Sequence, residues 1–416
     1  MTGRRRRRSR PTGAAHPART RPGALAAALV ALAGALVWLA PAAGAQATPT
    51  GGSRLTLLEQ TAMVGRTGVL TLRLAVSDRA GLGESVKVKV DRYDNIHTDP
   101  AGDPRGRLDD WLRGVIPNGT PNSTTGAVDF DELDQGVLRV PITPGPAGST
   151  EPHALRVTDA GVFPLVVRLL ADGQEVDRLV TFLIRLPETQ TAPPLLVAPV
   201  VHLHAPVALR PDGASRLEPA DLSRIQQAQA VLADHPLAPV TPDIRPETLA
   251  ALRHQPSDTV NERTVAAALN GRAVLAPTFV DLDAERWVAS GLRDQLERQR
   301  ILAVDAIRQI LGSGQRVDGA TWIARRPLGP AALGQLAGLG VNRVVLPAGD
   351  VGPVDTRTVA GADAPDAGLR PFDVDHAGGR MRAVLTDERL NARLTATGDP
   401  VRDAQAALAD LTLLAC

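Results

Sequence analysis

The chain has 416 residues and a formal net charge of +1, and this length is enough for two or three domains with hydrophobic cores. Residues 1–45 carry eight arginines and no acidic residue, so the rest of the chain has a net charge of −7. This acidic remainder has no excess positive charge to neutralise phosphates, which argues against nucleic acid as a partner. Cys416 is the single cysteine, and it excludes an internal disulfide.

The N-terminal segment has the features of an export signal. Its arginines precede an uninterrupted apolar stretch at residues 23–40, and the small residues Ala43 and Ala45 occupy the −3 and −1 positions of a cleavage site. We therefore predict a signal peptide over residues 1–45. The alternative is an uncleaved membrane anchor, because the apolar stretch is long enough to span a bilayer. In both cases we expect the arginines to remain on the cytoplasmic side of the membrane and the residues after position 46 to be extracytoplasmic.

A polar linker at residues 46–53 leads into a region with a period of two. Leu70, Leu72 and Leu74 fall on one face of a segment, with polar side chains between them, and residues 86–90 repeat the alternation. Such segments are half-buried strands of antiparallel sheets. Residues 161–186 contain two further strands, joined by a turn at residues 172–173. We predict an N-terminal immunoglobulin-like β-sandwich over residues 54–187.

After a second linker at residues 188–194 the period changes. Apolar runs now alternate with helical spacing, and the longest helical stretch covers residues 281–314. Strands that alternate with helices predict βα units around a parallel sheet. About six units are present, fewer than a closed eight-stranded barrel requires. We predict that residues 195–416 form an α/β domain resembling an incomplete (β/α) barrel.

Four segments of the chain resemble successive blocks of an actinobacterial family of secreted cell-envelope proteins, a domain of unknown function. They are residues 161–187, 272–292, 320–347 and 394–411. Family members usually continue well beyond this length and end in a transmembrane helix. The resemblance therefore implies that this chain is a C-terminally truncated member, without the rest of the barrel-like domain, further β domains and a membrane anchor. The family has no established catalytic residues, so none are transferred.

His202 and His204 stand at the end of the first apolar run of the α/β domain. Ligands bind beyond the carboxyl ends of the strands in such folds. Two histidines at i and i+2 point the same way on a strand and share one Zn²⁺ in some sites, here with Asp281 as a third ligand. The alternative is that both are ordinary residues where a strand becomes a loop. The same rule also nominates Asp243, Trp322 and Asp350.

Asp281 and Asp283 follow a predicted strand and precede a helix. Paired carboxylates at this place are candidates for the acid and base of glycoside hydrolysis. The alternative is structural: Asp283 is well placed to cap the helix, and Asp281 is then a turn residue.

The leading hypothesis is an exported cell-envelope protein with a non-catalytic binding or scaffolding role and no cofactor. Its expected partner is a cell-wall or envelope component. Membrane contact is expected only through an uncleaved signal or a missing C-terminal anchor. The competing hypothesis is a carbohydrate-active hydrolase, similar to a polysaccharide deacetylase or a glycosidase, with Asp281 and Asp283 as catalytic acids and zinc on His202 and His204.

Overall fold

The computed structural model describes residues 54–98, 102–116, 119–144, 153–189, 194–255, 260–275, 277–348 and 370–415. The predicted signal peptide, the first linker, Asp350 and Cys416 lie outside these residues. The described chain forms a β domain of two mainly antiparallel sheets, with one parallel pair between β6 and β7, and a mixed α/β domain, so it combines the two predicted classes of structure. None of the helices in these residues has the length and apolarity that a bilayer crossing requires.

The β domain consists of strands from two sheets, one helix and short 3-10 turns. The sheets have the strand orders β1-β2-β6-β7 and β4-β3-β8-β9, and β5 also pairs with β3. The strands are β1 (Leu55–Gln60), β2 (Gly68–Val76), β3 (Val86–Arg92), β4 (Ser123–Thr124), β5 (Val128–Asp129), β6 (Val137–Thr143), β7 (Leu155–Arg156), β8 (Gly161–Ala171) and β9 (Gln174–Arg185). The helix is α1 (Pro104–Leu112), and the 3-10 turns are Arg79–Leu82, Ile96–Thr98, Phe130–Glu132 and Asp134–Gly136.

The two sheets pack face to face through the side chains that the alternation places on one face. Leu70 and Leu72 of β2, and Val86 and Val88 of β3, have no exposed surface and belong to one core cluster. Burial of each such side chain contributes roughly 1.5–3 kcal/mol. The predicted hairpin is present at β8 and β9. Its turn residue Asp172 has φ 48° and is followed by Gly173 at φ 81°, as a type I′ turn requires.

The α/β domain alternates strands and helices, as the change of period predicts. Its elements are β10 (Val200–Leu203), α2 (Pro219–Asp234), β11 (Thr241–Ile244), α3 (Pro246–Leu252), α4 (Glu262–Leu269), β12 (Ala273–Leu275), α5 (Ala284–Ala289), α6 (Arg293–Leu311), β13 (Arg316–Asp318), β14 (Thr321–Ile323), α7 (Pro330–Gly338), β15 (Arg343–Leu346), β16 (Phe372–His376), β17 (Gly379–Leu385), α8 (Glu388–Arg393) and α9 (Pro400–Ala415).

The strands of this domain are divided between two sheets. β10, β11, β12 and β13 are parallel neighbours. β14, β15 and β17 are also parallel neighbours, and β16 pairs antiparallel with β17 at the edge. Only residues 319–320 separate β13 from β14, so the chain passes directly from one sheet to the next. The carboxyl ends of β11, β12 and β14 then lie near one another.

The long helical stretch predicted from residue 281 is interrupted. It consists of α5 and α6, which are separated by residues 290–292. Gly291 has φ 77°, a left-handed conformation in which the helix cannot continue. The residues before α5 line one pocket together with residues of β14.

The last helix lies against the β domain and not inside the α/β domain to which its sequence position assigns it. Residues 406 and 408 of α9 share a core cluster with Val180, Phe182 and Ile184 of β9. Most of β8 and the second half of β9 are buried on both faces, so the outer face of their sheet needs an apolar cover. The alanine- and leucine-rich α9 provides it. The predicted boundary at residue 195 therefore does not separate the chain into two independent packing units.

Candidate functional site

Two histidines and one aspartate meet at the carboxyl end of the first parallel strands. His202 lies on β10 and His204 follows the strand, with their ring centroids 5.3 Å apart. The parallel register places His202 directly opposite Asp243 of β11. As a result, His202 Nδ1 lies 2.8 Å from Asp243 Oδ2, and His204 Nε2 lies 3.9 Å from the same oxygen.

Burial, hydrogen bonds and neighbouring charges together set the pKa values of Asp243 and His204. Burial by itself would raise the pKa of the Asp243 carboxyl, but the hydrogen bond from His202 and the charges of His202, Arg325 and Arg245 outweigh it and lower that pKa. Asp243 is therefore an ionised carboxylate, which only accepts hydrogen bonds, and His202 Nδ1 is the donor. Burial, with the nearby charge of Arg325, lowers the pKa of His204 to about 4. His204 is neutral at pH 7.

Arg325 fills the centre of this group. It follows β14 by two residues, and its Nη2 donates to Asp243 Oδ2 at 2.6 Å. The same nitrogen lies 3.2 Å from His202 Nδ1 and is also hydrogen-bonded to His204 Nε2. One guanidinium nitrogen therefore contacts all three side chains that could hold a metal ion.

The ligand atoms of His202, His204 and Asp243 all lie within 4.8 Å of one another. Two imidazoles and one carboxylate form the three-ligand set of many catalytic zinc sites, so the residue types fit this metal. The sequence nominates Asp281 as the third ligand. The structure instead brings Asp243 to the histidines, because β11 is the strand next to β10.

Asp281 is half exposed and forms an ion pair with Arg245, whose Nη2 lies 2.6 Å from its Oδ1. Arg245 is buried, and its Nη1 donates to Thr278 Oγ1 at 2.9 Å. The pKa of Arg245 is lowered by burial and raised again in part by the charges of Asp243 and Asp281. Arg245 therefore links the acid predicted as catalytic to the group around Asp243.

Asp283 caps α5, as its structural interpretation predicts. Its Oδ1 accepts a hydrogen bond from the Arg286 backbone at 3.1 Å, and its Oδ2 lies 3.7 Å from Arg326 Nη1. Both acids that the sequence proposes for catalysis are thus paired with arginines.

Asp281, Asp283 and the arginines at positions 245, 325 and 326 line a pocket of about 220 Å³ at the carboxyl edge of the parallel strands. Trp322 forms part of its wall and is almost fully buried. The charged lining residues are Arg245, Arg325, Arg326, Asp281 and Asp283. Three arginines and two aspartates line the pocket, so it presents many hydrogen-bonding groups and a net charge of +1.

Arg245 and Arg325 are the functional residues that the sequence prediction missed. Each follows the end of a strand by one or two residues, the position that already nominated the acids. Ligands bind at the carboxyl ends of the strands in such folds, and this rule would have nominated Arg245 and Arg325 if it had been applied to arginines as well as to acids and histidines. Their pairing with Asp281 and Asp243 depends on which strands are neighbours.

The fold and the site define a mixed α/β protein with a polar, arginine- and aspartate-lined pocket at the ends of its parallel strands. No protein-family model matches the chain, and no curated protein matches it. Among solved structures it is similar to an FMN-binding beta-glucuronidase from Facaelibacterium prausnitzii L2-6, with 8% identity and a TM-score of 0.21 over 71% of this chain and 42% of that one. It is also similar to a glycosyl hydrolase family 2 member from Bacteroides cellulosilyticus DSM 14838, with 13% identity and a TM-score of 0.19 over 73% of this chain and 36% of that one. The chain thus spans less than half of either structure, and TM-scores this low carry no argument about its fold or activity.

Proposed function

We propose that this chain is an extracytoplasmic cell-envelope protein that binds a saccharide unit of the envelope without catalysing a reaction. Its β domain is of immunoglobulin-like type, since β1-β2-β6 and β3-β8-β9 correspond to the strand groups A-B-E and C-F-G of that fold. Its α/β domain is an incomplete (β/α) barrel, in which β10, β11, β12 and β13 have the sequential parallel order of such barrels. The export signal at residues 1–45 supports the location.

The observation that carries the proposal is the lining of the pocket. Arginine–aspartate pairs offer planar donors and acceptors side by side, which is the arrangement that neighbouring hydroxyl groups of a sugar require. The pocket is smaller than the roughly 300–1,000 Å³ usual for drug-sized ligands, so it accommodates one small ring or the end of a longer chain. A net charge of only +1 favours a neutral or weakly anionic polar ligand over a strongly charged one.

The ion pair of Asp281 and the capping role of Asp283 support a non-catalytic role. Asp281 is ion-paired with Arg245, and Asp283 caps α5. A glycosidase requires one protonated carboxylic acid and one free carboxylate. A binding role requires neither.

The test is a titration of the purified protein with soluble cell-wall saccharide fragments, monitored by calorimetry and by the fluorescence of Trp322. We expect saturable binding that weakens at least tenfold in Arg326→Ala, whose side chain is the most exposed of the pocket arginines. Arg382→Ala is the matched control, because it removes an exposed arginine that pairs with Asp373 on a different surface. Binding that survives Arg326→Ala unchanged, or no saturable binding of any fragment, would overturn the proposal.

A second candidate is a metal-dependent hydrolase of envelope carbohydrate. The clustering of His202, His204 and Asp243 beside the pocket favours it. A bound zinc ion would supply an activated water, and the three side chains would hold the ion. This candidate predicts about one zinc per chain in the purified protein, lost in the His202→Ala/His204→Ala double variant, together with release of product from a saccharide substrate.

A further inference from the structure

We infer that Arg325 is a built-in cation that occupies the metal position of the His202–His204–Asp243 cluster, so a divalent ion binds there only when Arg325 withdraws. The inference concerns how metal access to this cluster is controlled. It rests on the metal-binding capacity considered in the second candidate and is independent of saccharide binding.

The geometry makes the guanidinium and a metal ion mutually exclusive. Nη2 of Arg325 lies within hydrogen-bonding distance of His202 Nδ1, His204 Nε2 and Asp243 Oδ2 at the same time. A metal ion needs the lone pairs of Asp243 and His204 to which Arg325 donates, together with His202 Nδ1 after it has lost its proton, and two cations cannot share the position. Arginine keeps its charge at every accessible pH, so it must move away as a whole for the metal to enter.

Arg325 has a place to move to. Its side chain is 30% exposed, whereas its partner Asp243 is 1% exposed. The same residue lines the 220 Å³ pocket beside Arg245 and Arg326. A change of side-chain rotamer can therefore carry the guanidinium from the cluster into the pocket without disturbing the packed core.

A second observation points to an unfilled coordination requirement at the same carboxylate. Asp243 Oδ1 is fully buried and has no hydrogen-bond partner among the described residues, although Oδ2 has two. A buried carboxylate oxygen without a partner is costly, and a metal ion that coordinates Asp243 would compensate the charge of both its oxygens.

The consequence is an apparent metal affinity below the intrinsic one. If Arg325 occupies the cluster most of the time, the measured dissociation constant is the intrinsic value divided by the fraction of molecules in which the arginine is withdrawn. Removal of the side chain should then strengthen metal binding, the opposite of what loss of a metal ligand or of a structural residue would do.

The experiment is a titration of the metal-free protein with Zn²⁺ by calorimetry and with Co²⁺ by visible absorption. We compare the wild type with Arg325→Ala and with Arg325→Met, which keeps much of the side-chain length if the smaller residue disturbs folding. Arg382→Ala is the control, because it removes one positive charge outside the cluster. A third background adds His202→Ala and His204→Ala to Arg325→Ala.

We expect at least tenfold tighter Zn²⁺ binding in either Arg325 variant and a tetrahedral Co²⁺ spectrum. Arg382→Ala should bind as the wild type does, and the histidine substitutions should abolish the gain. The inference is overturned if the Arg325 variants bind no tighter than the wild type, or if the gain persists without the histidines. It is also overturned if the wild type already binds Zn²⁺ as tightly as the variants. Saccharide binding by the same proteins is measured in a separate titration. Failure of the saccharide-binding proposal is therefore distinguished from failure of this inference about metal binding.

Discussion

Arg105 Nε donates a hydrogen bond of 2.5 Å to Asp410 Oδ1, which joins a helix of the β domain to the last helix of the chain across 305 residues. Asp410 has no exposed surface, and its other oxygen lies 3.3 Å from Nε of Arg393, itself almost fully buried. Arg393 belongs to α8 and also pairs with Asp109 of α1. A buried charge network therefore fastens α8 and α9 to the β domain.

Substitution of Asp410 should destabilise the protein strongly. Asp410→Ala leaves Arg393 in a buried position without its carboxylate at Nε, and removal of one partner of a buried ion pair costs about 3–5 kcal/mol. Urea denaturation at pH 7 measures this loss of unfolding free energy. In the control Asp373→Ala, whose pair with Arg382 is exposed, the loss should be at most about 1 kcal/mol. Equal losses in the two variants would show that the network does not fasten α9.

Asp283 should act on stability as a helix cap. Asp283→Ala removes the acceptor of the Arg286 backbone N–H at the start of α5, at a cost of about 1 kcal/mol. Asp283→Asn keeps an acceptor oxygen and should recover most of the loss in the same urea experiment. Asp305→Ala, on the exposed face of α6, should change stability by at most about 0.5 kcal/mol. If Asp283→Ala is as stable as the wild type, Asp283 does not stabilise α5 as a cap.

The folded protein should lose stability on acidification because of His204. Burial and the charge of Arg325 lower the pKa of His204 from its ordinary 6.5 to about 4. Between these values the unfolded chain binds more protons than the folded chain, so stability falls as the pH decreases from about 6.5 towards 4. Its side chain is only 18% exposed, and we expect a contribution of about 1–2 kcal/mol between pH 7 and pH 5.

Urea denaturation at both pH values, with EDTA present, isolates this contribution. His204→Gln should lose about 1–2 kcal/mol less than the wild type between pH 7 and pH 5. His235→Gln keeps His204 and should follow the wild type. If His204→Gln is as sensitive to acid as the wild type, the buried neutral state of His204 is not the source of the effect.

Asp281 should contribute to ligand binding through Arg245 and not as an acid. Asp281→Asn removes the carboxylate that holds Arg245 Nη2 at 2.6 Å, so the guanidinium is freer to change its direction in the pocket. We expect a change of saccharide affinity in this variant and no hydrolysis of envelope saccharides by the wild type, with or without added zinc. Product release by the wild type that disappears in Asp281→Asn would instead support a catalytic carboxylate.

Much of the local structure follows from residue periodicity. The alternation of Leu70, Leu72 and Leu74 predicts a half-buried strand, and β2 buries these three residues. The turn at residues 172–173 is predictable because aspartate and glycine tolerate the positive φ that a tight hairpin needs. The break at Gly291 is harder to predict, since an isolated glycine inside helical spacing is often tolerated.

The candidate site is predictable only in part. The positions of His202, His204, Asp281 and Asp283 at strand ends follow from the alternation of strands and helices. Which of them meet does not follow, because it depends on strand neighbours and register. Asp243 stands opposite His202 on the adjacent strand, while Asp281 lies one strand further on and pairs with Arg245.

The sequence by itself determined the two classes of structure, the edge of the sheet where polar groups collect and the export signal that we predict. These features depend on local periodicity, turn residues and composition, which are properties of residues close together in the sequence. Only the tertiary structure decided that Arg325 enters the histidine cluster and that α9 covers the β domain. Both relationships join residues more than 80 positions apart, and they arise because buried charges need partners and an apolar sheet face needs a cover.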